Sequence, residues 1–279
     1  MKTLYITDLD DTLLRSDKRI SAYTAAAINR FIDGGGYFTY ATARSISSAL
    51  EVAGGVDWRL PVVCSDGVYI IDPANNETCI ANNFTAEETA HIRLYLEERG
   101  TSPIVFARVD GRVRFSFIGG LTNPAVRYFL DARLGDSRWR EVDCAEELYR
   151  GEIYRILWTP ESVDSIDGEE SRFAGFSRRD YEAQADLCDV LPLTATKANA
   201  ALQLKAILGC DRLVVFGDGH NDLSMFAVAD ECYAVRNAIA ELADIATAVI
   251  GANEEDGVAR WIEMNAGDAK IDIENSPHI

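Results

Sequence analysis

The chain has 279 residues, of which 48% are hydrophobic, and its formal net charge is -18 at pH 7. That length fits one large domain or two unequal ones, and the acidic balance argues against nucleic-acid binding, which needs a basic face. No apolar run reaches the roughly 18 residues that a membrane-spanning helix needs, and the N-terminus does not read as a secretory signal. We therefore expect a cytoplasmic protein without membrane or nucleic-acid partners.

The first part of the chain alternates short apolar runs with amphipathic stretches. Ser21 is expected to cap the first helix, and the run Gly34-Gly35-Gly36 to end it. The predicted order is strand 4–7, helix 21–33, strand 37–41, helix 47–52 and strand 61–64. Strands and helices that alternate with short joints are typical of a parallel sheet covered by helices.

The pattern changes in the middle of the chain. Asp110-Gly111 lies between two strand-like runs and is a strong hairpin signal. The predicted elements are helix 85–100, strands 104–109 and 112–117, helix 124–134, strand 153–158, a helix-like segment from Pro160 and strand-like pieces around 173–176. Antiparallel hairpins and helices within an alternating chain predict an α+β domain inserted at residues 83–185.

The alternation resumes in the last part of the chain. The predicted order is helix 197–208, strand 212–216, a helix from Leu223 to Ala229, and strands 232–235 and 246–250. The predicted fold class is therefore α/β, with a Rossmann-like parallel-sheet core formed by residues 1–82 and 186–279 around the inserted α+β domain. The sequence does not indicate an oligomeric state.

The cysteines give no sign of a metal knuckle or a disulfide framework. There are six of them, widely spaced, and none forms a CxxC pair. This pattern is typical of buried thiols in a reducing compartment.

Two acidic residues directly follow the first predicted strand. In extended chain, Asp8 and Asp10 point the same way and lie roughly 6 to 7 Å apart, at about 3.3 Å rise per residue. Carboxylates that close repel each other unless a cation neutralises them or one keeps its proton. The stretch therefore indicates a metal, a cationic partner or two carboxylates with different roles. A plain acidic loop or a helix N-cap is the alternative.

Further polar residues follow other predicted strands. Thr42 comes after strand 37–41, and Asp218 and Asp222 come after strand 212–216. The carboxyl ends of parallel strands meet at one edge of a sheet, where ligands of such folds bind. Lys197 opens a helix and can reach back to that edge. Each residue also has an interpretation without a functional role. Thr42 could be a strand-end cap, Asp218 part of a turn, Asp222 a helix cap and Lys197 a solvated lysine. All four of these interpretations would have to hold together if the edge had no function.

These groups together indicate phosphoryl transfer. The carboxylates of Asp8 and Asp218 are hard oxygen ligands, which suit Mg2+. One carboxylate could attack phosphorus and form an aspartyl-phosphate. Mg2+, Lys197 and the hydroxyl of Thr42 would stabilise the charge of the transferring group. Asp10 could protonate the leaving alcohol and then activate water, provided that its pKa differs from that of Asp8.

The same residues resemble the four signatures of the haloacid dehalogenase superfamily of phosphohydrolases. Asp8-Leu9-Asp10-Asp11-Thr12 matches DxDxT, Thr42 lies in Ala41-Thr42-Ala43-Arg44, Lys197 follows, and Gly217 to Asp222 matches GDGxND. The long insertion lies between the second and third signatures, as in the Cof-like branch with its large α+β cap. The resemblance covers residues 1–82 and 186–279, while the cap matches only in position and mixed pattern.

The resemblance implies roles for the acidic residues of the first signature. Asp8 would be the nucleophile and Asp10 the general acid and base. Asp8, the backbone carbonyl of Asp10 and Asp218 would hold Mg2+.

It also implies roles for the polar residues of the other signatures. Thr42 and Lys197 would bind the transferring phosphoryl group, and Asn221 would lie near the metal or the phosphate. Asp222 would orient Lys197 or a metal-bound water.

Two positions depart from the family pattern. Ala43 stands where many relatives have glycine, and its methyl group could narrow the phosphate loop. Ser65-Asp66-Gly67 stands where many relatives have Asn-Gly, and we expect it to line the site.

The expected function is that of a Mg2+-dependent phosphatase acting on a small phosphorylated metabolite, with a sugar phosphate favoured. The cap would close over the substrate and choose the leaving group. Arg108, Arg112 and Arg114 could meet a second anionic group or decorate an outer strand face. A phosphomutase and a non-catalytic sensor of a phosphorylated ligand are the alternatives.

Overall fold

The fold is taken from a computed structural model of the chain. It describes residues 1–120, 127, 130–131, 135–158 and 188–266. Within these ranges no helix combines the length and the apolar character needed to cross a bilayer.

The elements alternate between strands and helices through most of the chain. The strands are β1 (Thr3–Thr7), β2 (Tyr37–Tyr40), β3 (Val62–Cys64), β4 (Tyr69–Ile71), β5 (Thr78–Ala81), β6 (Ile104–Val109), β7 (Arg112–Ile118), β8 (Trp139–Val142), β9 (Glu152–Trp158), β10 (Cys188–Val190), β11 (Arg212–Gly217), β12 (Glu231–Val235) and β13 (Ala248–Ile250). The helices are α1 (Ala22–Asp33), α2 (Ile46–Val52), α3 (Ala86–Glu98), α4 (Ala145–Leu148), α5 (Lys197–Ile207), α6 (Leu223–Phe226), α7 (Ala240–Ile245) and α8 (Gly257–Asn265). Single helical turns lie at Leu9–Leu13, Ser65–Gly67, His220–Asp222 and Asn253–Glu255.

The chain divides into two compact units. One consists of residues 1–81 and 196–279, and the other of residues 82–195. Three features predicted from the sequence lie outside the described residues. They are most of the helix at 124–134, the segments from Pro160 through 173–176, and the domain boundary at 185.

The first unit is built on a parallel five-stranded sheet in the order β13-β12-β11-β1-β2. Strand β1 pairs with β11 on one side and β2 on the other, so that Ile6 lies opposite Val215 and Thr39. Leu4 and Ile6 are fully buried, as expected for a parallel sheet covered on both faces. The predicted α/β core is confirmed.

The strand expected at 61–64 does not extend the parallel sheet as a full member. A single parallel bridge joins Val63 to Ala41, and β3 pairs antiparallel with β4, which pairs antiparallel with β5. The chain reverses immediately after β3 because Ser65, Asp66 and Gly67 all have positive φ angles. This second, three-stranded sheet was not predicted.

The second unit is an α+β structure of its own. Its sheet has the order β10-β9-β6-β7-β8, antiparallel except for the parallel pair β7 and β8. The predicted hairpin between β6 and β7 turns at Asp110 and Gly111, whose φ angles of 50° and 74° suit a tight two-residue turn. One face of the sheet and α3 share an apolar core that includes Ile92, Val105 and Ile156. The predicted α+β cap is confirmed as a fold.

The arginines of this hairpin differ in their surroundings. Arg112 is exposed, and Arg114 donates a hydrogen bond from Nη1 to the carbonyl oxygen of Ser137 at 3.2 Å.

A polar network anchors the segment that follows the first acidic stretch. Asp256, in the left-handed conformation with φ of 57°, accepts hydrogen bonds from Arg15 Nη2 at 2.7 Å, Ser21 Oγ at 2.6 Å and Thr24 Oγ1 at 2.9 Å. Asn253 Nδ2 donates to the carbonyl oxygen of Leu14 at 3.0 Å. The turn before α8 therefore supports the chain just after the acidic stretch, more than 200 residues away in sequence.

Replacing Asp256 by asparagine is expected to lower the free energy of unfolding by about 1 to 3 kcal/mol at neutral pH. Burial raises the pKa of Asp256, but the hydrogen bonds from Ser21, Thr24 and Arg15 outweigh it and the pKa is lowered. This stabilisation is fully present above the unfolded-state pKa of about 3.9 and is lost as the pH falls through the folded-state pKa. Asparagine tolerates the positive φ, so only the interactions change.

Urea denaturation of wild type and Asp256→Asn at several pH values measures this difference. The difference in the free energy of unfolding between the two proteins should be constant above about pH 5 and should vanish as the pH falls below the usual aspartate pKa. Asp244, exposed on α7, supplies the control, because Asp244→Asn should change stability by less than about 0.5 kcal/mol. If this difference in stability persisted unchanged in acid, it would contradict the role assigned to the Asp256 carboxylate.

Candidate active site

The carboxyl ends of three neighbouring strands bring the predicted site residues to one edge of the sheet. β1 ends at Thr7, β2 at Tyr40 and β11 at Gly217. The strands stay in register up to these ends, since Asp8 N donates to Phe216 O and Ala41 N donates to Thr7 O, both at 2.9 Å. Asp8, Thr42 and Asp218 follow at the same edge.

Lys197 connects two buried carboxylates at this edge. It is the first residue of α5, where Thr196 caps the helix by accepting a hydrogen bond from Asn199 N. Lys197 Nζ donates to Asp8 Oδ1 at 2.5 Å and to Asp222 Oδ1 at 2.7 Å. A lysine at a helix N-terminus is unfavourable for the helix dipole, and only 1% of it is exposed. The two carboxylates compensate for both costs.

The electrostatics of this group follow from burial and close charges. Burial lowers the pKa of Lys197, but attraction to Asp8 and Asp222 outweighs it, so the pKa is raised and the ammonium keeps its proton. Burial raises the pKa of Asp8 well above its ordinary value, against the opposing charge of Lys197, and the charges of Asp222 and Asp218 add to the rise. With several acids around a single lysine, the cluster favours a further cation.

Asp222 organises the loop after β11. Its Oδ2 accepts hydrogen bonds from the backbone N–H groups of Asp218 and Gly219, both at 3.0 Å, while its Oδ1 accepts from Lys197. Gly217 has no room for a side chain, because a Cβ there would lie 2.7 Å from Asp222 Cγ. Since both carboxylate oxygens are already engaged, Asp222 is suited to hold Lys197 and the loop rather than to bind a ligand.

The remaining carboxylate oxygens could hold a divalent cation. Carboxylate oxygens of Asp8, Asp218 and Asp222 lie within 4.8 Å of one another. Asp218 Oδ1 accepts from Thr12 Oγ1 at 2.7 Å, but the Oδ2 atoms of Asp8 and Asp218 receive no hydrogen bond from the described residues. Burial raises the pKa of Asp218 to about 6. A hard-oxygen donor set with surplus negative charge fits Mg2+.

Asp10 has different surroundings from Asp8. Arg44 donates to both oxygens of Asp10, from Nε and from Nη2, at 2.7 Å each. These bonds from Arg44, together with the charges of Arg44 and Lys18, outweigh burial and lower the pKa of Asp10. The two acids therefore differ in pKa, in opposite directions. No role was predicted for Arg44 from the sequence, although its position two residues after Thr42 was a signal.

Thr42 is buried next to this pair. Its N–H donates to the carbonyl oxygen of Val63 at 3.0 Å, and its Oγ1 accepts from Arg44 N at 3.2 Å. The hydroxyl proton of Thr42 is therefore available for another acceptor. Ala43 is exposed.

Asn221 lies in the turn between β11 and α6, and its side chain is not bonded to the carboxylate cluster. Its Nδ2 donates instead to Asp66 Oδ1 at 3.0 Å. Asp66 lies in the segment Ser65-Asp66-Gly67, which is predicted from the sequence to line the site.

Comparison with known proteins supports a common origin for these features. A family profile of haloacid dehalogenase-like hydrolases matches residues 5–262. The chain is 25% identical over 294 aligned residues to the 5-amino-6-(5-phospho-D-ribitylamino)uracil phosphatase YwtE of Bacillus subtilis, with 95% of this chain and 98% of that protein covered.

Solved structures share the fold over almost the whole chain. BT1666 of Bacteroides thetaiotaomicron, a phosphatase of the HAD superfamily, superposes with a TM-score of 0.74 at 18% identity, and 95% of each chain is covered. TM0651 of Thermotoga maritima superposes with a TM-score of 0.72 at 22% identity, covering 95% of this chain and 97% of the other.

The family predicted from the signatures is thus confirmed by a match that spans both units. The chain belongs to the haloacid dehalogenase-like hydrolases, as a Cof-like member, and it is a phosphatase.

Proposed function

We propose that this phosphatase is Mg2+-dependent and hydrolyses a small phosphorylated metabolite, a sugar phosphate or sugar-alcohol phosphate, through an aspartyl-phosphate on Asp8. The main support for this proposal is the buried Lys197, which donates to the carboxylates of both Asp8 and Asp222. Lys197 orients Asp8 through Oδ1, which leaves Oδ2 for chemistry. The arrangement suits a nucleophile that is held in place by a fixed cation.

In the first proposed step, Asp8 attacks phosphorus, the bond from phosphorus to the leaving oxygen breaks, and Asp10 supplies the proton that the alcohol takes up. The ammonium of Lys197 and the hydroxyl of Thr42 stabilise the negative charge on the equatorial oxygens. Mg2+, held by Asp8, Asp218 and the backbone carbonyl of Asp10, would add positive charge at the same place.

In the second proposed step, water attacks phosphorus, Asp10 takes the water proton, and the carboxylate of Asp8 leaves. Donation from Arg44 lowers the pKa of Asp10, so its carboxylate is ionised and can accept the water proton, while the first step requires Asp10 to be protonated when the substrate is bound. Asp222 keeps Lys197 in place throughout, because its second oxygen is anchored by two backbone N–H groups.

The substrate class is proposed from the name of one relative and from the expectation that the cap chooses the leaving group. The Bacillus subtilis relative is named for a substrate with a phosphorylated ribityl chain, so sugar-alcohol phosphates belong beside sugar phosphates in any test. The cytoplasm remains the proposed location. The cysteines whose side chains the structure describes are free thiols, which suits a reducing compartment.

The test is phosphate release from a panel of sugar phosphates, sugar-alcohol phosphates including 5-amino-6-(5-phospho-D-ribitylamino)uracil, nucleotides and pyridoxal phosphate. Turnover by the wild type with Mg2+, absent in Asp8→Asn, would support the proposal. If no compound released phosphate, adding a sugar bisphosphate would separate a phosphomutase, which isomerises a sugar phosphate, from a sensor that only binds.

Removing divalent cations with EDTA is expected to reduce turnover at least about a hundredfold, since metal neutralisation typically supplies several kcal/mol of transition-state stabilisation. Adding Mg2+ in excess of the chelator should restore the rate. Isothermal titration of Mg2+ into wild type and Asp218→Asn measures binding without turnover, and the variant should bind at least tenfold more weakly. Full activity in EDTA would rule out the metal.

A further inference from the structure

Asp66 occupies a strained position against the loop that follows β2. Ser65 and Asp66 have φ angles of 51° and 56°, and Gly67 has 100°. Consecutive non-glycine residues in the left-handed region are uncommon and persist only where the surroundings require them. Here Ser65 N donates to Arg44 O at 2.9 Å and Asp66 N donates to Thr42 O at 3.0 Å.

The next residue brings this segment against the start of α5. A Cβ on Gly67 would lie 2.2 Å from the carbonyl oxygen of Thr196, so only glycine permits the approach. Asp66 is 6% exposed, and its charge contributes to the raised pKa of Lys197. Asp66 is therefore a buried acid at the edge of the site, outside the four signature motifs.

The side chain of Asp66 has a specific partner in the fourth motif. Its Oδ1 accepts a hydrogen bond from Asn221 Nδ2 at 3.0 Å. A carboxylate can only accept, so the amide of Asn221 must turn its NH2 group toward Asp66 and its oxygen away. Asn221 is otherwise exposed, and an unrestrained amide would rotate freely. The contact thus selects one orientation of an exposed side chain in the loop after β11.

We propose that Asp66 is a positioning residue, which acts through Asn221 to hold that amide in the orientation that binds the phosphoryl group or the water beside it. The inference rests on the proposed function, because it assigns Asn221 to the same site. It gives a physical reason for a strained conformation next to a glycine without side-chain room at this place.

The experiment uses two substitutions that suit the positive φ of Asp66. Asp66→Asn keeps an acceptor oxygen for Asn221 Nδ2, and asparagine tolerates the conformation. Asp66→Gly removes the acceptor, and glycine adopts the conformation without strain. Both variants are combined with Asn221→Ala, and kcat and KM are measured with Mg2+ on the best substrate of the panel.

We expect Asp66→Gly to lower kcat/KM about five- to tenfold, mostly through KM, and Asp66→Asn to stay within about twofold of wild type. In the Asn221→Ala background, Asp66→Gly should have no further effect, because residues that act through one another are not additive. An undiminished effect in that background, or an equal loss in Asp66→Asn, would overturn the proposal.

A binding measurement separates this inference from the proposed reaction. Titration of inorganic phosphate into the Mg2+-loaded protein needs no turnover. Asp66→Gly should raise the Kd for phosphate about five- to tenfold, and Asp66→Asn should leave it within about twofold of wild type. Unchanged phosphate binding in Asp66→Gly would refute the role of Asp66 even if the wild type proved to be a phosphatase. The predicted pattern of binding would support it even if the substrate panel failed.

Discussion

Asp8→Asn is expected to reduce kcat by a factor on the order of 10^4 or more while the protein stays folded. An amide cannot act as the nucleophile, and it also loses one charge-assisted contact with Lys197. The size of the side chain is unchanged, and Lys197 keeps its contact with Asp222 at 2.7 Å. Phosphate release gives the rate, and circular dichroism with urea denaturation reports the fold.

The neighbouring acid provides a matched control for this substitution. Asp11 lies three residues further on, and its half-exposed side chain contacts Lys18 at 3.1 Å instead of the buried cluster. Asp11→Asn makes the same chemical change, and asparagine suits its φ of 56°. Its kcat should remain within about threefold of wild type. Residual turnover of Asp8→Asn within tenfold of wild type would exclude Asp8 as the nucleophile.

Lys197→Met is expected to abolish turnover and to lower the free energy of unfolding by about 3 to 5 kcal/mol at neutral pH in the absence of metal. Methionine fills a similar volume, so the loss is electrostatic. Asp8 and Asp222 would remain buried, with 5% and 0% exposure, and without their shared cation. Urea denaturation in EDTA measures the stability change separately from activity.

Lys205 on the same helix is the control for this substitution. Lys205 Nζ contacts Asp230 at 3.1 Å near the surface, and exposed pairs of this kind contribute only about 0 to 1 kcal/mol. Lys205→Met should therefore cost less than about 1 kcal/mol and keep full activity. Equal losses in the two variants would contradict the special role of the buried lysine.

Local patterns were sufficient for the core elements and for the membership of the family. The apolar run at 4–7, the cap at Ser21 and the turn at Asp110-Gly111 each depend on a few consecutive residues, and each appears in the structure as predicted. Asp8 and Asp218 directly follow strands of one parallel sheet, whose carboxyl ends necessarily lie at one edge, and Lys197 opens a helix that can reach back to that edge. The convergence of Asp8, Lys197, Asp218 and Asp222 was therefore predictable in outline.

The antiparallel sheet of β3, β4 and β5 was not predictable in the same way. Three strands of three or four residues carry little periodic signal. Their pairing depends on a reversal at residues 65–67, where two non-glycine residues take positive φ angles. Only the surrounding structure makes that conformation acceptable.

Sequence patterns were enough to establish the fold class and the family and to predict which residues carry the chemistry, because hydrophobic period, turn residues and motif spacing are properties of neighbouring positions. Which of those residues contact one another is visible only in the tertiary structure. It assigned Lys197 to Asp8 and Asp222, Arg44 to Asp10, and Asn221 to Asp66. All of these partners are separated by tens to hundreds of residues, and a charged side chain selects its partner by burial and distance, which only the packed chain defines.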